Sequence, residues 1–181
     1  MKKLKNILKL IKLKFSTKEI EVVQPKKLSE IKRDFKHFID SIPEYMRILK
    51  NILKLDSLKF SLEEIEMVEQ FYTKHHKKPD KIGLTKEDID AICTAYLGEA
   101  FLWYFGGEWE LETSKAGYYG AFQIVRHGGE GYHWVALTPK NWLFFIETKQ
   151  SERRLSNIFE NRINYFKNSP EFVLKPVRNL Y

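Results

Sequence analysis

The side chains of this sequence that could carry out chemistry fall in two stretches. Glu99 follows Gly98 inside an apolar run, and a carboxylate in such surroundings can have a raised pKa and act as an acid or base. His127, Glu130 and His133 share a short glycine-rich segment, and three such side chains could bind zinc. If Glu99 and the two histidines converged in one pocket, they would indicate a hydrolase.

Each of these candidates also has a purely structural interpretation, which we favour. Gly98 would admit a close neighbour, and Glu99 would accept hydrogen bonds from strand amides or pair with an arginine, because a buried carboxylate must be paired or protonated. The two histidines lie on either side of five loop residues, and no fourth ligand or hydrolase motif accompanies them. We therefore predict no catalytic residue, no metal site and no cofactor.

The remaining reactive side chains lead to the same expectation. Cys93 is the only cysteine and lies on an apolar helix face, which predicts a small core residue and a reducing, cytoplasmic environment. His75 and His76 would point to two sides of a helix, which disfavours a shared metal. The sequence contains no Walker loop, Rossmann fingerprint, G-x-S-x-G or H-E-x-x-H motif.

The elements that position these side chains lie between Thr85 and Thr148, a stretch that holds all four tryptophans. Thr85 and Asp88 form a capping box at the start of an apolar helix, and Gly106-Gly107 ends it. Strands of a small antiparallel sheet are predicted at residues 109–113, 118–125 and 132–137. Thr138-Pro139 then predicts the start of a helix over 140–148, although that composition would also suit a strand.

The first 80 residues are predicted to form a helical front. Amphipathic helices lie on either side of Pro43, which is well placed to open the second of them. Ser61 and Glu64 form a capping box for a further helix, and residues 151–167 predict a C-terminal one. We therefore expect an α+β fold, with a helical N-terminal half (1–80) packed on a core domain (81–181) of a buried helix, a three-stranded sheet and C-terminal helices.

An internal duplication links two parts of the front. Residues 4–23 and 49–68 are identical at 15 of 20 positions without a gap. Two copies are fewer than a solenoid needs, so we interpret them as a local duplication. A duplicated docking element could also exchange between chains and make a homo-oligomer.

Positive charge is concentrated at the start of the chain. Residues 1–18 hold seven lysines and no acid, while the rest of the chain is neutral. A nucleic-acid partner is disfavoured, because a protein that binds nucleic acid is expected to spread basic residues over a folded face. The basic amphipathic start could instead make the protein an adaptor for a membrane surface or another anionic polymer, although docking on the body is the favoured alternative. We expect no signal peptide and no membrane span.

Several short motifs of the central stretch resemble a known group. Leu97-Gly98-Glu99 within a buried helix, Gly107-x-Trp109 at the start of a sheet and the Thr-Pro start of the last segment resemble small uncharacterised bacterial domains. Many of these are encoded beside polymorphic or contact-dependent toxins and act as immunity proteins. The resemblance covers residues 85–148, carries no catalytic residue across, and implies a cytosolic protein that occludes a cognate toxin.

The residues expected to contact such a partner are aromatic or acidic. Tryptophan and tyrosine dominate interface energetics, and an alternating acidic row could face a basic toxin. A solvated sheet face and core aromatics are the plainer alternative. The candidate contacts are Glu108, Trp109, Glu110, Glu112, Tyr118, Tyr119, His127, Glu130, Tyr132 and Trp134, with Trp142 as a further possibility.

Overall fold

The fold is that of a computed structural model, which describes residues 26–115, 117–127, 136–148 and 154–168. The elements are α1 (Leu28–Leu53), α2 (Leu62–His75), a 3-10 turn (Pro79–Ile82), α3 (Lys86–Phe105), β1 (Glu108–Leu111), β2 (Phe122–Val125), α4 (Lys140–Glu147) and α5 (Leu155–Lys167). This arrangement confirms the α+β class. Within the described ranges, no helix is long and apolar enough to cross a membrane.

Helix α3 is the centre of the fold, and every residue from Ile92 to Leu102 is buried. Both arms of the predicted capping box are present. The Thr85 hydroxyl accepts from the Asp88 amide at 3.1 Å, and the Asp88 carboxylate accepts from the Thr85 amide at 2.8 Å. Gly106 ends the helix with φ +67°, a conformation that favours glycine. The core around α3 is one cluster that includes residues from both halves of the chain.

The prediction of two helices meeting at Pro43 is wrong, because α1 is a single helix of 26 residues. Pro43 lies on its exposed side. A proline inside a helix typically costs about 3 kcal/mol, so tertiary packing must offset that loss. The buried stripe runs through the proline without a break and comprises Ile31, Phe38, Ile42, Met46 and Leu49.

The predicted three-stranded sheet is also corrected. The described residues form a two-stranded antiparallel sheet in which Trp109 is opposite Ile124. Leu137 makes only an isolated bridge to Ile124, with amide bonds of 2.7 and 3.0 Å. Pairing beyond Leu137 would place Pro139 in the ladder, and proline has no N–H to donate. Residues 132–135 of the predicted third strand lie outside the described residues.

The second copy of the duplication, residues 49–68, forms the helix–loop–helix corner between α1 and α2. Ser61 accepts from the Glu64 amide at 3.3 Å, as predicted for a helix cap. The Glu64 carboxylate, however, binds the amides of Lys59 and Phe60 at 2.8–2.9 Å and the Tyr96 hydroxyl at 3.2 Å. Glu64 therefore joins the corner to α3. The first copy lies outside the described residues.

The C-terminal helices pack on the same centre. Helix α4 confirms the helical prediction for residues 140–148, although it begins one residue after Pro139 rather than at it. The first turn of α5 is capped by α2, because Glu69 accepts from the Leu155 amide at 2.7 Å. Glu66 accepts from the Ser156 hydroxyl at 3.1 Å. Glu69 thereby supplies an acceptor that the first amides of a helix lack, and Glu66 adds a side-chain bond between the two helices.

Candidate functional site

Glu99 and Gly98 both contact the side chain of Trp109. The indole nitrogen of Trp109 donates to a Glu99 carboxylate oxygen at 2.9 Å. A Cβ at Gly98 would overlap the Trp109 ring, so the predicted close neighbour of this glycine is Trp109. One partner of Glu99 is therefore the Trp109 indole, a donor that we did not expect. Trp109 is half-buried, and its ring contacts Phe38 edge-on at 5.2 Å.

Of the three side chains that were weighed as zinc ligands, His127 lies within the described residues, whereas Glu130 and His133 lie outside them. Its side chain is buried and contacts the Phe101 ring edge-on at 4.9 Å. Gly107 admits it, because a Cβ there would lie 3.2 Å from the His127 Cβ. Among the residues that the structure describes, no group of three or more acidic, histidine or cysteine side chains could hold a metal ion.

A polar cluster that the sequence did not reveal joins α2, α3 and α4. Tyr72 donates to Glu147 at 2.7 Å and lies 3.2 Å from Asp90. The His76 ring is stacked on Tyr72, and its Nε2 lies 3.0 Å from Asp90 and 3.3 Å from Glu147. Burial raises the pKa of Tyr72, and the two carboxylates raise it further, so the phenol stays protonated and donates.

This cluster could not have been found from spacing along the sequence. Tyr72 and Glu147 are 75 positions apart, although Tyr72 and His76 are one helical turn apart and share a face. The ring nitrogen of His76 is close to both carboxylates but makes no aligned hydrogen bond within the described part of the chain. The cluster therefore joins three helices through the Tyr72 hydroxyl, with the His76 ring packed beside both carboxylates.

The predicted acidic row lies along β1 and just beyond its end. Glu108 and Glu110 are about half exposed, and both pair with Arg126, the latter at 3.3 Å. Gln123 also donates to Glu110, at 3.4 Å. The row is therefore partly neutralised by its own sheet, which the alternation of residues on β1 alone could not indicate. Glu112 turns away from the row, and its carboxylate accepts from the Ser114 amide at 2.6 Å.

The connection between β1 and β2 ends in a tight turn, Tyr118–Ala121, which we call the tyrosine turn. The Ala121 amide donates to the Tyr118 carbonyl at 2.8 Å, and Gly120 occupies the third position with φ +83°. A positive φ at that position is the requirement of a type II turn. The Gly120 amide also donates to the Glu112 carbonyl at 2.8 Å, which ties the turn to the end of β1.

Two of the residues predicted to contact a partner lie in the tyrosine turn, and both are exposed to solvent. Tyr118 is 75% exposed and Tyr119 is 37% exposed. Gly120 packs behind them against Ile31 of α1, where an added Cβ would lie 3.4 Å from the isoleucine side chain. The backbone of the turn is thus fixed by hydrogen bonds and packing, while its aromatic rings remain accessible.

The other predicted contacts lie elsewhere. Trp142 is buried in the core and packs on Phe159 at 5.2 Å, whereas Tyr132 and Trp134 lie outside the described residues. In the part of the chain that the structure describes, three exposed aromatic residues did not figure in the prediction, and they are Trp103, Phe144 and Tyr165. These rings occupy helices, where apolar periodicity predicts a buried face and gives no signal for an exposed ring.

Comparisons with protein-family models, with curated proteins and with solved structures found no match.

Proposed function

We propose that the protein is a cytoplasmic immunity protein, which binds and neutralises a cognate bacterial toxin by stoichiometric occlusion. The observation that carries this proposal is the tyrosine turn, in which Tyr118 is 75% exposed on a backbone held by hydrogen bonds. Large exposed aromatic side chains are the residue type that most often supplies the energy of protein–protein association. The resemblance of residues 85–148 to immunity domains gives the class of partner.

The rigidity of the turn supports tight binding. Ordering a flexible loop at an interface reduces affinity, so a turn that is already fixed loses less free energy on association. Gly120 is anchored to Glu112 by a hydrogen bond and to Ile31 by packing. The two tyrosines therefore project from a surface that needs little rearrangement to bind.

The acidic row gives the expected charge of the partner. Glu108 and Glu110 lie on β1 and pair with Arg126, which leaves one excess negative charge among the three. An electrostatically complementary surface increases the association rate and excludes partners of the same sign. We expect the toxin surface that meets the hairpin to carry basic residues.

The ionisable groups described above support binding rather than catalysis. Glu64 binds two loop amides and Tyr96, Glu99 binds Trp109, and Tyr72 binds Glu147. Each of these bonds joins two elements of the fold. A catalytic acid or base would instead be directed toward a place where substrate can enter.

The test is co-expression of the protein with the tagged product of the adjacent gene, which this proposal expects to be a toxin. We expect a complex of one chain of each, and loss of toxin activity when the protein is in molar excess. Absence of association at micromolar concentration, or an active toxin within the complex, would refute the immunity function.

A further inference from the structure

The backbone of β1 is directed alternately toward β2 and away from it. Ile124 of β2 exchanges both of its backbone hydrogen bonds with Leu137, at 2.7 and 3.0 Å, and so directs its amide and carbonyl away from β1. Residues opposite each other in an antiparallel pair either bond to each other or direct both groups away. Trp109 is opposite Ile124, so its amide and carbonyl are directed out of the hairpin.

The far end of β1 gives the same alternation. The Glu112 amide donates to the Ala121 carbonyl at 2.9 Å and the Glu112 carbonyl accepts from the Gly120 amide, so both groups are directed toward β2. Leu111 precedes Glu112, and its amide and carbonyl are therefore directed outward, like those of Trp109. Among the described residues, Trp109 and Leu111 have no backbone partner on that side, which we call the free edge of β1.

We propose that the free edge of β1 binds an extended segment of the toxin as an added strand, an inference that rests on the proposed function. An unpaired strand edge supplies main-chain hydrogen bonds to a partner strand, and side chains at alternate positions select that partner. Glu108 and Glu110 are alternate residues of β1, so their side chains lie on one side of the sheet. Both are about half exposed, so they can select the strand by its charge.

Charge favours the toxin segment over a second copy of this chain. Two copies that paired antiparallel through β1 would bring their acidic rows together, and like charges on neighbouring strands are destabilising. Charged side chains on edge strands are a common means of preventing such self-association. A strand with lysine or arginine at alternate positions would instead oppose Glu108 and Glu110, because their pairing with Arg126 leaves one negative charge in excess.

The other side of β1 favours apolar residues in the added strand. Trp109 and Leu111 share this side, where the Trp109 ring contacts Phe38 of α1 and Leu111 is half-buried. Apolar residues of the partner would extend this layer beyond β1. The expected segment therefore alternates basic and apolar residues over at least four positions, the length of β1.

The first experiment uses the synthetic peptide acetyl-Lys-Val-Lys-Val-Lys-Val-amide and its charge-reversed control, in which glutamate replaces lysine. Amide hydrogen exchange of the full chain is followed by NMR. In the free protein, the Trp109 and Leu111 amides should exchange at least about tenfold faster than the Glu110 amide, which is directed toward β2. The lysine peptide should slow exchange at Trp109 and Leu111 at least about tenfold, and the glutamate peptide should not.

The second experiment removes one donor of the free edge with Leu111→Pro, because proline has no N–H. Leu111→Val is the matched control, since it changes the side chain and keeps the amide. Leu111→Pro should weaken binding of the lysine peptide at least about fivefold, and Leu111→Val should weaken it much less. Circular dichroism checks that both variants are folded, and the exchange experiment on the parent chain tests the proposal if Leu111→Pro is not.

Three results would overturn the proposal. Slow exchange at Trp109 and Leu111 in the free protein would show that another segment of the chain occupies the edge. Equal effects of the two peptides would exclude selection by charge. A dimer that Leu111→Pro converts to a monomer would identify a second copy as the occupant.

Failure of this inference is distinguishable from failure of the proposed function. A toxin that is neutralised equally by the parent chain and by folded Leu111→Pro would refute strand addition and leave the immunity function intact. Binding of the lysine peptide at the free edge, without association with the adjacent gene product, would refute the immunity function and support the edge as a binding site.

Discussion

At the scale of single residues, the position of Trp109 is fixed by contact with Gly98 and by a hydrogen bond to Glu99. The sequence predicted that Gly98 would admit a close neighbour, because a glycine within a buried helix often marks such an approach. It could not identify Trp109 as that neighbour. The pairing depends on how the sheet folds back on α3, and alternation along β1 gives only the face on which Trp109 lies.

Gly98→Ala should destabilise the protein by about 1–3 kcal/mol, because the new methyl group would overlap the indole ring. Urea denaturation measures the change in the free energy of unfolding. The same substitution in a Trp109→Leu background should cost less, since the ring is absent there. If Gly98→Ala lowers the free energy of unfolding by the same amount in both backgrounds, overlap with the Trp109 ring is not the cause of the destabilisation.

Cys93 should be unreactive in the native protein. It is fully buried on α3, and burial raises the pKa of its thiol, so the reactive thiolate is scarce at pH 8. Alkylation by iodoacetamide, followed by mass spectrometry, should be slow in buffer and fast in denaturant. Equal rates in the two conditions would show that the thiol is accessible.

At the scale of elements, helix ends were predictable and helix continuity was not. The capping box at Thr85 and the side-chain cap at Ser61 depend on residues within one turn, so the sequence contains the signal for both. The continuation of α1 through Pro43 depends on packing against α3, which local propensity does not register. The second arm of the Ser61 box was wrong for a related reason, because Glu64 is directed toward Lys59, Phe60 and Tyr96.

Glu64→Ala should destabilise the corner by at least about 2 kcal/mol, because it leaves two loop amides and the Tyr96 hydroxyl without their acceptor. The neighbouring Glu63 is exposed and provides a matched control. Thermal unfolding should show a lower Tm for Glu64→Ala and little change for Glu63→Ala. A similar Tm for both variants would contradict the role given to Glu64.

Tyr72→Phe should weaken the contact between α2 and α4 by about 1–2 kcal/mol, because the phenol donates to Glu147 across the helices. Tyr45→Phe is a control at a half-buried tyrosine that makes no such bond within the described residues. Hydrogen exchange of residues 140–147 should become faster only for Tyr72→Phe. Unchanged exchange would show that apolar packing alone holds α4.

At the scale of the whole molecule, the sequence predicted the class of fold and the central helix but could not sort its aromatic residues into core and surface. Trp142 is buried and Trp109 half-buried, while Tyr118 is exposed, although all three were considered for partner contact. Exposure is decided by which elements cover a residue, and those elements are distant in the sequence. A hydrogen-bonded turn that projects Tyr118 became visible only in three dimensions.

The central proposal is that the tyrosine turn is the surface by which this protein binds a cognate toxin. Isothermal titration of the toxin domain with Tyr118→Ala tests it most directly, with Phe144→Ala as a control at a ring that is 57% exposed on α4. We predict that Tyr118→Ala raises the Kd at least about tenfold, equivalent to about 1.4 kcal/mol, while Phe144→Ala leaves it unchanged. An unchanged Kd for Tyr118→Ala, with the same toxin still bound by the parent chain, would contradict the account.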